Sequence, residues 1–195
     1  MNIVDLEEYK EWLRENANKE EEGALNVVEK ILKHHETGRT KFVQLFPHFR
    51  YKGIEFDLLI LLSNKKMDIN KLDETLGFHR LIAVEFKETD IRKVVGQAIV
   101  RKEFVDYIYV ATKYSAYDYV DIFLMALFGI GWILFDKNFA KIVLPAKFYD
   151  TQKYKIKELV DVLLSQKFKE VVEEVFKERF NEKWKEWVKN GKNKK

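Results

Sequence analysis

The chain has 195 residues, of which 47% are apolar and 34% are charged, and it contains no cysteine. This length and apolar content suffice for one domain with a filled core, and the lack of cysteine excludes disulfides, thiolate nucleophiles, iron–sulfur clusters and cysteine-based zinc sites. The net charge of +3 is uneven, because residues 1–36 hold five Lys/Arg and ten Asp/Glu, so that the remainder carries +8. A basic body suits a polyanionic partner, although it also suits an ordinary solvated surface.

Two segments bear on targeting and membrane insertion. Residues 1–15 are acidic and amphipathic and lack the basic start and continuous apolar run of a signal peptide, so we expect a cytoplasmic protein. The longest uncharged apolar stretch, residues 122–135, has 14 residues, whereas a membrane-spanning helix needs roughly 20. We therefore expect this stretch to be buried core and expect no membrane partner.

The first part of the chain predicts two helices and then three strands. Asp5 is placed to cap a first helix that ends at residues 16–18, and a second amphipathic helix is predicted over residues 19–35. β-rich runs follow and predict strands over residues 41–46, 54–62 and 81–86. Residues 63–79 are interpreted as a polar insertion in the hairpin of the last two strands, with a short helix starting at Asp68.

The middle of the chain predicts alternating helices and strands. A helical period over residues 91–104 precedes a buried strand over residues 107–111, which we expect to be parallel to a neighbour reached through the helix. A helix over residues 117–128 and a strand over residues 132–135 repeat the alternation. These elements predict an α/β core.

The C-terminal part predicts an amphipathic helical extension. Helices are predicted over residues 156–164 and 168–188, so we expect a domain over residues 1–150 and an extension over residues 151–195. The second helix carries an apolar stripe, which we expect to dock on the sheet or on a second copy of the chain, giving a homodimer. The stripe consists of Val171, Val172, Val175, Phe176, Phe180, Trp184 and Trp187.

Three charged residues on two apolar strands carry the chemistry. Asp57 lies inside an otherwise apolar run, and a buried carboxylate there needs a partner. Glu85 and Lys87 are two residues apart at the end of a strand, so their side chains leave the same face. The three groups can therefore converge.

Two carboxylates and a lysine suit the hydrolysis of a phosphodiester bond. Carboxylate oxygens hold Mg²⁺ or Mn²⁺, which polarises the phosphodiester and lowers the pKa of bound water. A nearby lysine orients that water or stabilises the developing negative charge. Taken singly, Glu85 and Lys87 could form a salt-bridged strand end and Asp57 could cap a turn. Their order, strand context and following helix together favour the catalytic interpretation.

Asp57, followed by Ala83-Val-Glu85-Phe-Lys87 and then a helix, resembles the motif of the PD-(D/E)XK nuclease superfamily, to which archaeal Holliday junction resolvases and many restriction endonucleases belong. The resemblance covers about residues 19–135. It implies a restriction endonuclease-like αβββαβ core with a mixed sheet and a metal-dependent endonuclease acting on DNA, with RNA as the alternative. It also implies Asp57 and Glu85 as ligands of Mg²⁺ or Mn²⁺, with Lys87 as the water-orienting or charge-stabilising residue.

The resemblance further implies auxiliary residues. Members often carry an acidic residue on the first core helix, and Glu20 and Glu21 both fall near the apolar face of the second predicted helix, where Glu21 is preferred. Gln97 matches a glutamine that many members carry after the lysine motif. Lys93 and Arg101 align with it at four-residue intervals, so these three side chains are expected to contact phosphates of the cleaved strand.

Histidines and cations outside the motif have a weaker signal. His48, Arg50 and Lys52 precede the strand of Asp57 and are interpreted as phosphate contacts or, more simply, as a solvated strand end. His34 and His35 are expected at a helix end, where positive charge is tolerated. Neither group has the spacing of a histidine metal site.

Two other functions stay open. One is a non-catalytic nucleic-acid-binding or scaffolding protein that retains the nuclease fold for docking, although such a protein has no need for two close carboxylates. The other is a small α/β interaction protein that does not bind nucleic acid. Salt-sensitive binding of oligonucleotides distinguishes them, because phosphate contacts make affinity strongly salt-dependent.

Overall fold

The computed structural model describes residues 5–64, 79–88, 90–113 and 118–149, with residues 162 and 177. Its helices are α1 (Leu6–Asn16), α2 (Ala24–His35), α3 (Ile91–Arg101), which continues as a 3₁₀ turn over Lys102–Phe104, and α4 (Tyr119–Phe128). Its strands are β1 (Phe42–Tyr51), β2 (Ile54–Ser63), β3 (His79–Lys87), β4 (Tyr107–Thr112), β5 (Gly131–Phe135) and β6 (Ala140–Leu144). Helices and strands therefore alternate as an α/β fold.

The six described strands form one mixed sheet in the order β1-β2-β3-β4-β5-β6. β1, β2 and β3 are antiparallel neighbours, β3, β4 and β5 are parallel, and β6 returns antiparallel to β5. The parallel pairs are joined through α3 and α4, as parallel strands require a crossover connection. The predicted meander and the predicted parallel strand after it are both confirmed.

Helices cover both faces of the sheet. Side chains of β2 alternate between the faces, so that Leu58 and Ile60 pack with α1 and α2 while Leu59 and Leu61 pack under α3 and α4. A strand buried on both faces is apolar at every position, which explains the continuous apolar run of β2. The core therefore has two layers, one on each side of this sheet.

Several predicted boundaries are wrong for physical reasons. α2 begins at Ala24 rather than at residue 19, because Gly23 has the left-handed φ of 99°. β1 continues through Pro47 to Tyr51, which an edge strand tolerates because a proline there costs no ladder hydrogen bond. β6 was not predicted at all.

The apolar run of residues 122–135 is not wholly buried. Its second half is β5, whose Trp132 and Ile133 lie in the core, but its first half lies on α4 with Phe123 64% and Leu127 62% exposed. None of the described helices is long and apolar enough to cross a membrane. The predicted helix at Asp68, the boundary at residue 150 and the apolar stripe lie outside the described residues, as do the two C-terminal helices except for Val162 and Lys177, which are both helical.

Candidate functional site

Asp57 lies where the alternation of β1 and β2 side chains is interrupted. The pairs on either side of it are Pro47 with Leu58 and Phe49 with Phe56, and His48, between Pro47 and Phe49, has a φ of 48°. Phe46 and Phe49 would face opposite sides of a regular strand, yet both pack in the cluster under α3. At this irregular point the Asp57 carboxylate accepts a hydrogen bond of 2.8 Å from the backbone N–H of Phe86 on β3.

Glu85 is the neighbour of Asp57 on β3. The paired register of β2 and β3 ends at Leu58 and Val84, the residues next to Asp57 and Glu85, and Glu85 is only 1% exposed. Burial first, and then the charge of Asp57, raise the pKa of Glu85 to about 9. Burial also raises the pKa of Asp57. The two carboxylates thus share a partly dry environment in which the charge of Asp57 disfavours ionisation of Glu85.

An arginine from α3 partners this pair of carboxylates. The guanidinium of Arg101 donates to Oε2 of Glu85, and its side chain is only 11% exposed. Oε1 of Glu85 is buried and has no hydrogen-bond partner among the described residues. The arginine therefore satisfies only one of the two oxygens.

Lys87 reaches the segment that precedes α2. Its ammonium lies 2.7 Å from a carboxylate oxygen of Glu20. The segment is a turn, held by the side chain of Asn18, which accepts from the backbone N–H groups of Glu20 and Glu21. Lys113, after β4, donates to the backbone carbonyl of Lys19. The acidic turn is thereby fixed beside the ends of β3 and β4.

Glu21 is the third carboxylate of the site and is 2% exposed. One of its oxygens lies 2.9 Å from Nε2 of His48, and the other accepts from the backbone N–H of Asn18 at 3.1 Å. Burial raises the pKa of Glu21, and the charge of Asp57 raises it further. Burial and the charges of these two carboxylates raise the pKa of Tyr9 on α1.

An open depression of about 560 Å³ lies between α3 and the tip of the β1–β2 hairpin. Lys93, Gln97 and Arg101 line its helical side. At the hairpin, the guanidinium of Arg50 lies 2.7 Å from a carboxylate oxygen of Glu55. The ammonium of Lys52 lies over the ring of Tyr51. Because Arg101 also contacts Glu85, it connects the depression with the carboxylates.

The structure brings together most of the residues that the sequence singled out. Asp57, Glu85, Lys87 and Glu21 converge at the ends of β2 and β3, although Glu21 lies in a turn rather than on α2. Lys93, Gln97 and Arg101 of α3 line one depression. Arg50 and Lys52 lie instead at the tip of the β1–β2 hairpin. Their predicted contacts with phosphate stay predictions.

Sequence reasoning missed three partners of the site. Glu20 pairs with Lys87, His48 contacts the carboxylate of Glu21, and Arg101 pairs with Glu85. Pairings between positions 16, 27 and 67 apart in the chain depend on how α3 and the turn pack against the strands. The left-handed conformation of His48 leaves no reliable signal in a sequence.

His35 lies at a helix end, as the sequence predicts. It is the last residue of α2, and it is buried, with its Nε2 2.8 Å from the hydroxyl of Tyr109. Burial is the main cause that lowers the pKa of His35 to about 4. The imidazole is therefore neutral at ordinary pH, because the strand opposite excludes water from this helix end.

The carboxylates fit a two-carboxylate cation site rather than a larger cage. Among the described residues, no three His, Asp or Glu side chains are arranged to hold a metal ion together. Mg²⁺ is commonly bound by one or two carboxylates, with water and substrate oxygens completing its shell. The buried, unpartnered Oε1 of Glu85 beside Asp57 fits that smaller requirement.

Comparison with known proteins does not assign the chain to a family. No family model matches it, and no curated protein matches it. A protein of unknown function from Silicibacter pomeroyi has a similar solved structure, with a TM-score of 0.49 and 13% sequence identity over 80% of this chain and 91% of that chain.

Proposed function

We propose that this protein is a metal-dependent endonuclease of the PD-(D/E)XK type that hydrolyses phosphodiester bonds in DNA. The observation that carries the proposal is that Asp57 and Glu85 lie next to the last paired residues of β2 and β3 and are close enough for the charge of Asp57 to act on Glu85, with Lys87 two residues further along β3. The element order α2-β1-β2-β3-α3-β4 agrees with the αβββαβ core that the motif implies.

Each residue then has a role that its surroundings support. Asp57 and Glu85 would hold Mg²⁺ or Mn²⁺, and the cation would supply Lewis-acid activation of the phosphodiester and of the attacking water. The ammonium of Lys87, held by Glu20 at 2.7 Å, would orient that water or stabilise the developing negative charge. Glu21, buried beside Asp57, would act as an outer acid.

The depression beside α3 would receive the DNA backbone. Lys93 and Arg101 supply positive charge there, and Gln97, the auxiliary residue, supplies an amide between them. Phosphate contacts of this kind fix the register of a nucleic acid without reading its sequence. The depression is open rather than enclosed, which suits a long polymer better than a small ligand.

One observation favours a second candidate, a non-catalytic nucleic-acid-binding protein. The charged groups of the site already have protein partners, as in the pairs of Arg101 with Glu85 and Lys87 with Glu20. The pair of Arg101 with Glu85 is nearly buried and that of Lys87 with Glu20 is half-buried, and buried ion pairs can serve fold specificity alone. A binding protein of this type would bind DNA equally well in EDTA and would not take up Mn²⁺.

Cleavage assays test the first candidate. The substrates are labelled duplex, single-stranded, flapped and four-way DNA, each with Mg²⁺, Mn²⁺ or EDTA. We expect metal-dependent cleavage that falls by roughly 100-fold or more in Asp57→Asn and Lys87→Met, because each removes a group that acts on the reacting phosphate. Glu29→Gln and Lys33→Met, at exposed positions of α2, are the matched controls.

The outcome separates the two candidates. Cleavage by the wild type and both controls, lost in EDTA and in the site variants, supports the nuclease and identifies its substrate. Failure of the wild type to cleave any substrate, or cleavage that survives both site changes, rejects the proposed site. Tight binding of DNA under the same conditions would then favour the binding protein.

A further inference from the structure

Arg101 is placed where it competes with a cation for Glu85. Its guanidinium donates to Oε2 of Glu85, which leaves Oε1 as the buried oxygen without a partner. A carboxylate that already pairs with an arginine has much of its charge neutralised and part of its surface covered. A divalent cation that binds both Asp57 and Glu85 would therefore meet the positive charge of Arg101 beside them.

The same side chain also faces the depression. Arg101 lines it together with Lys93 and Gln97, so a rotation of the long arginine side chain leads from Glu85 towards that space. Guanidinium groups form paired hydrogen bonds with carboxylates and with phosphates of similar geometry. A phosphate in the depression is consequently an alternative partner for the group that holds Glu85.

We propose that Arg101 is an exchangeable counter-cation, which pairs with Glu85 in the free protein and transfers to a substrate phosphate when the divalent cation binds. The inference rests on the proposed function for the cation site and for DNA as the polyanion. It makes the binding of metal and of DNA mutually reinforcing, since each removes the other's competitor. Free protein would then take up metal weakly and would be protected from unproductive metal binding.

Titration calorimetry with Mn²⁺ tests the proposal without using cleavage as the readout. Arg101→Met removes the competing charge and keeps much of the side-chain length, so we expect Mn²⁺ to bind about tenfold more tightly than to the wild type, the size of effect that an adjacent charge has on an ionisable group. Arg92→Met is the matched control, because Arg92 lies on the same helix and its side chain is 73% exposed. Asp57→Asn should abolish the binding.

A second arm measures the coupling to DNA. Mn²⁺ binding is measured with and without duplex DNA in a Lys87→Met background, which keeps both carboxylates while slowing cleavage. Added DNA is expected to tighten Mn²⁺ binding when Arg101 is present and to have little effect when it is replaced by Met. Thermal unfolding checks that each variant is folded, and Arg101→Gln, which retains a donor for Glu85, replaces Arg101→Met if that variant does not fold.

Each result decides a different point. Equal Mn²⁺ affinity of the wild type and Arg101→Met overturns the exchange but leaves the cation site intact. Absence of Mn²⁺ binding in every variant, with and without DNA, overturns both the exchange and the proposed function. Tighter binding by Arg101→Met, together with no cleavage of any DNA by the wild type, supports the exchange and rejects the nuclease.

Discussion

His35 shows how a single side chain is held in one protonation state. Its ring is buried at the end of α2 and packs against Tyr107 and the ring of His34. Burial first, and then the charges of His34 and Arg80, lower its pKa to about 4. The neutral ring forms a hydrogen bond through Nε2 with the hydroxyl of Tyr109, 2.8 Å away.

The depressed pKa predicts a loss of stability in acid. The unfolded chain takes up a proton at His35 near pH 6.5, whereas the folded protein does so only near pH 4, so the stabilisation is complete above pH 6.5 and is lost as the pH falls towards 4. We expect the advantage of the wild type over His35→Gln in free energy of unfolding to shrink by up to about 3 kcal/mol between pH 7 and 4.

Denaturant unfolding at several pH values measures this difference. Gln can still accept from the hydroxyl of Tyr109 but does not titrate, so it isolates the proton. Lys33→Gln, at an exposed position two residues earlier, is the control for a change of composition at this helix end. A difference between wild type and His35→Gln that stays constant with pH would contradict the prediction.

At the level of single residues, the sequence predicts chemistry better than pairing. The spacing of Glu85 and Lys87 and the apolar surroundings of Asp57 were sufficient to select the residues that converge. The partner of Glu85 is Arg101, 16 residues away on α3, and that pairing depends on the packing of the helix. A local pattern records which groups are present but not which group each one contacts.

The turn before α2 is the element on which the acidic side of the site depends. Gly23 has a φ of 99°, and a Cβ built on it would overlap the backbone carbonyl of Asp136 at the end of β5. Both conditions exclude a side chain at this position. The close approach fixes the turn, and with it Glu20 and Glu21, against the sheet.

Gly23→Ala is therefore expected to destabilise the fold strongly. The backbone strain alone costs roughly 1 kcal/mol, and the overlap with a backbone atom must move the turn, so we expect a total of about 3 kcal/mol or more. Gly38→Ala is the matched control, because its Cβ meets nothing within 4 Å and its effect should stay within about 0.5 kcal/mol. Thermal and denaturant unfolding measure both changes.

Gly23→Ala and Gly38→Ala also test whether the turn before α2 positions Glu20 and Glu21. In the protein that remains folded, Gly23→Ala should also weaken the contact between Lys87 and Glu20, which lies in this turn. Similar stabilities for the two alanine variants would mean that the turn adapts without cost. That result would remove the argument that Gly23 sets the start of α2.

Elements with a strong period were predicted well, and elements set by tertiary contacts were not. α3 and β4 follow a clear helical and then apolar pattern, and their positions match the prediction within a residue or a few residues. The start of α2 depends on Gly23 meeting Asp136, a contact between residues more than a hundred positions apart. β6 has only five residues, and its burial alternates along a sheet edge, so its signal is short.

In the folded domain, the uneven charge of the sequence is divided between the two faces of the sheet. The acidic first part of the chain forms α1 and α2, which pack on one face of the sheet. α3 covers the other face and carries three Arg or Lys residues and no acidic residue over its length. The sequence predicts a basic body, but only the sheet topology shows that the acidic helix α1 and the basic helix α3 lie on opposite faces.

This separation predicts that one face binds DNA and the other does not. Lys93 lies in the depression of the α3 face, whereas Lys33 is an exposed cation of α2 on the opposite face. Each phosphate that a cation neutralises releases a counterion and contributes about 0.9 to the slope of log affinity against log salt concentration for duplex DNA. Lys93→Met should lower the slope by about that amount, and Lys33→Met should leave it unchanged.

Fluorescence anisotropy with duplex DNA in EDTA, over a series of salt concentrations, measures both slopes without any cleavage. Because EDTA removes divalent cations, the carboxylates make no contribution through a metal, and the slope reports only the cations that face the DNA. Equal slopes for the two lysine variants would mean that DNA, if bound, does not follow the α3 face. The depression would then lose its role, whereas Asp57, Glu85 and Lys87 would still be tested independently by the cleavage assay.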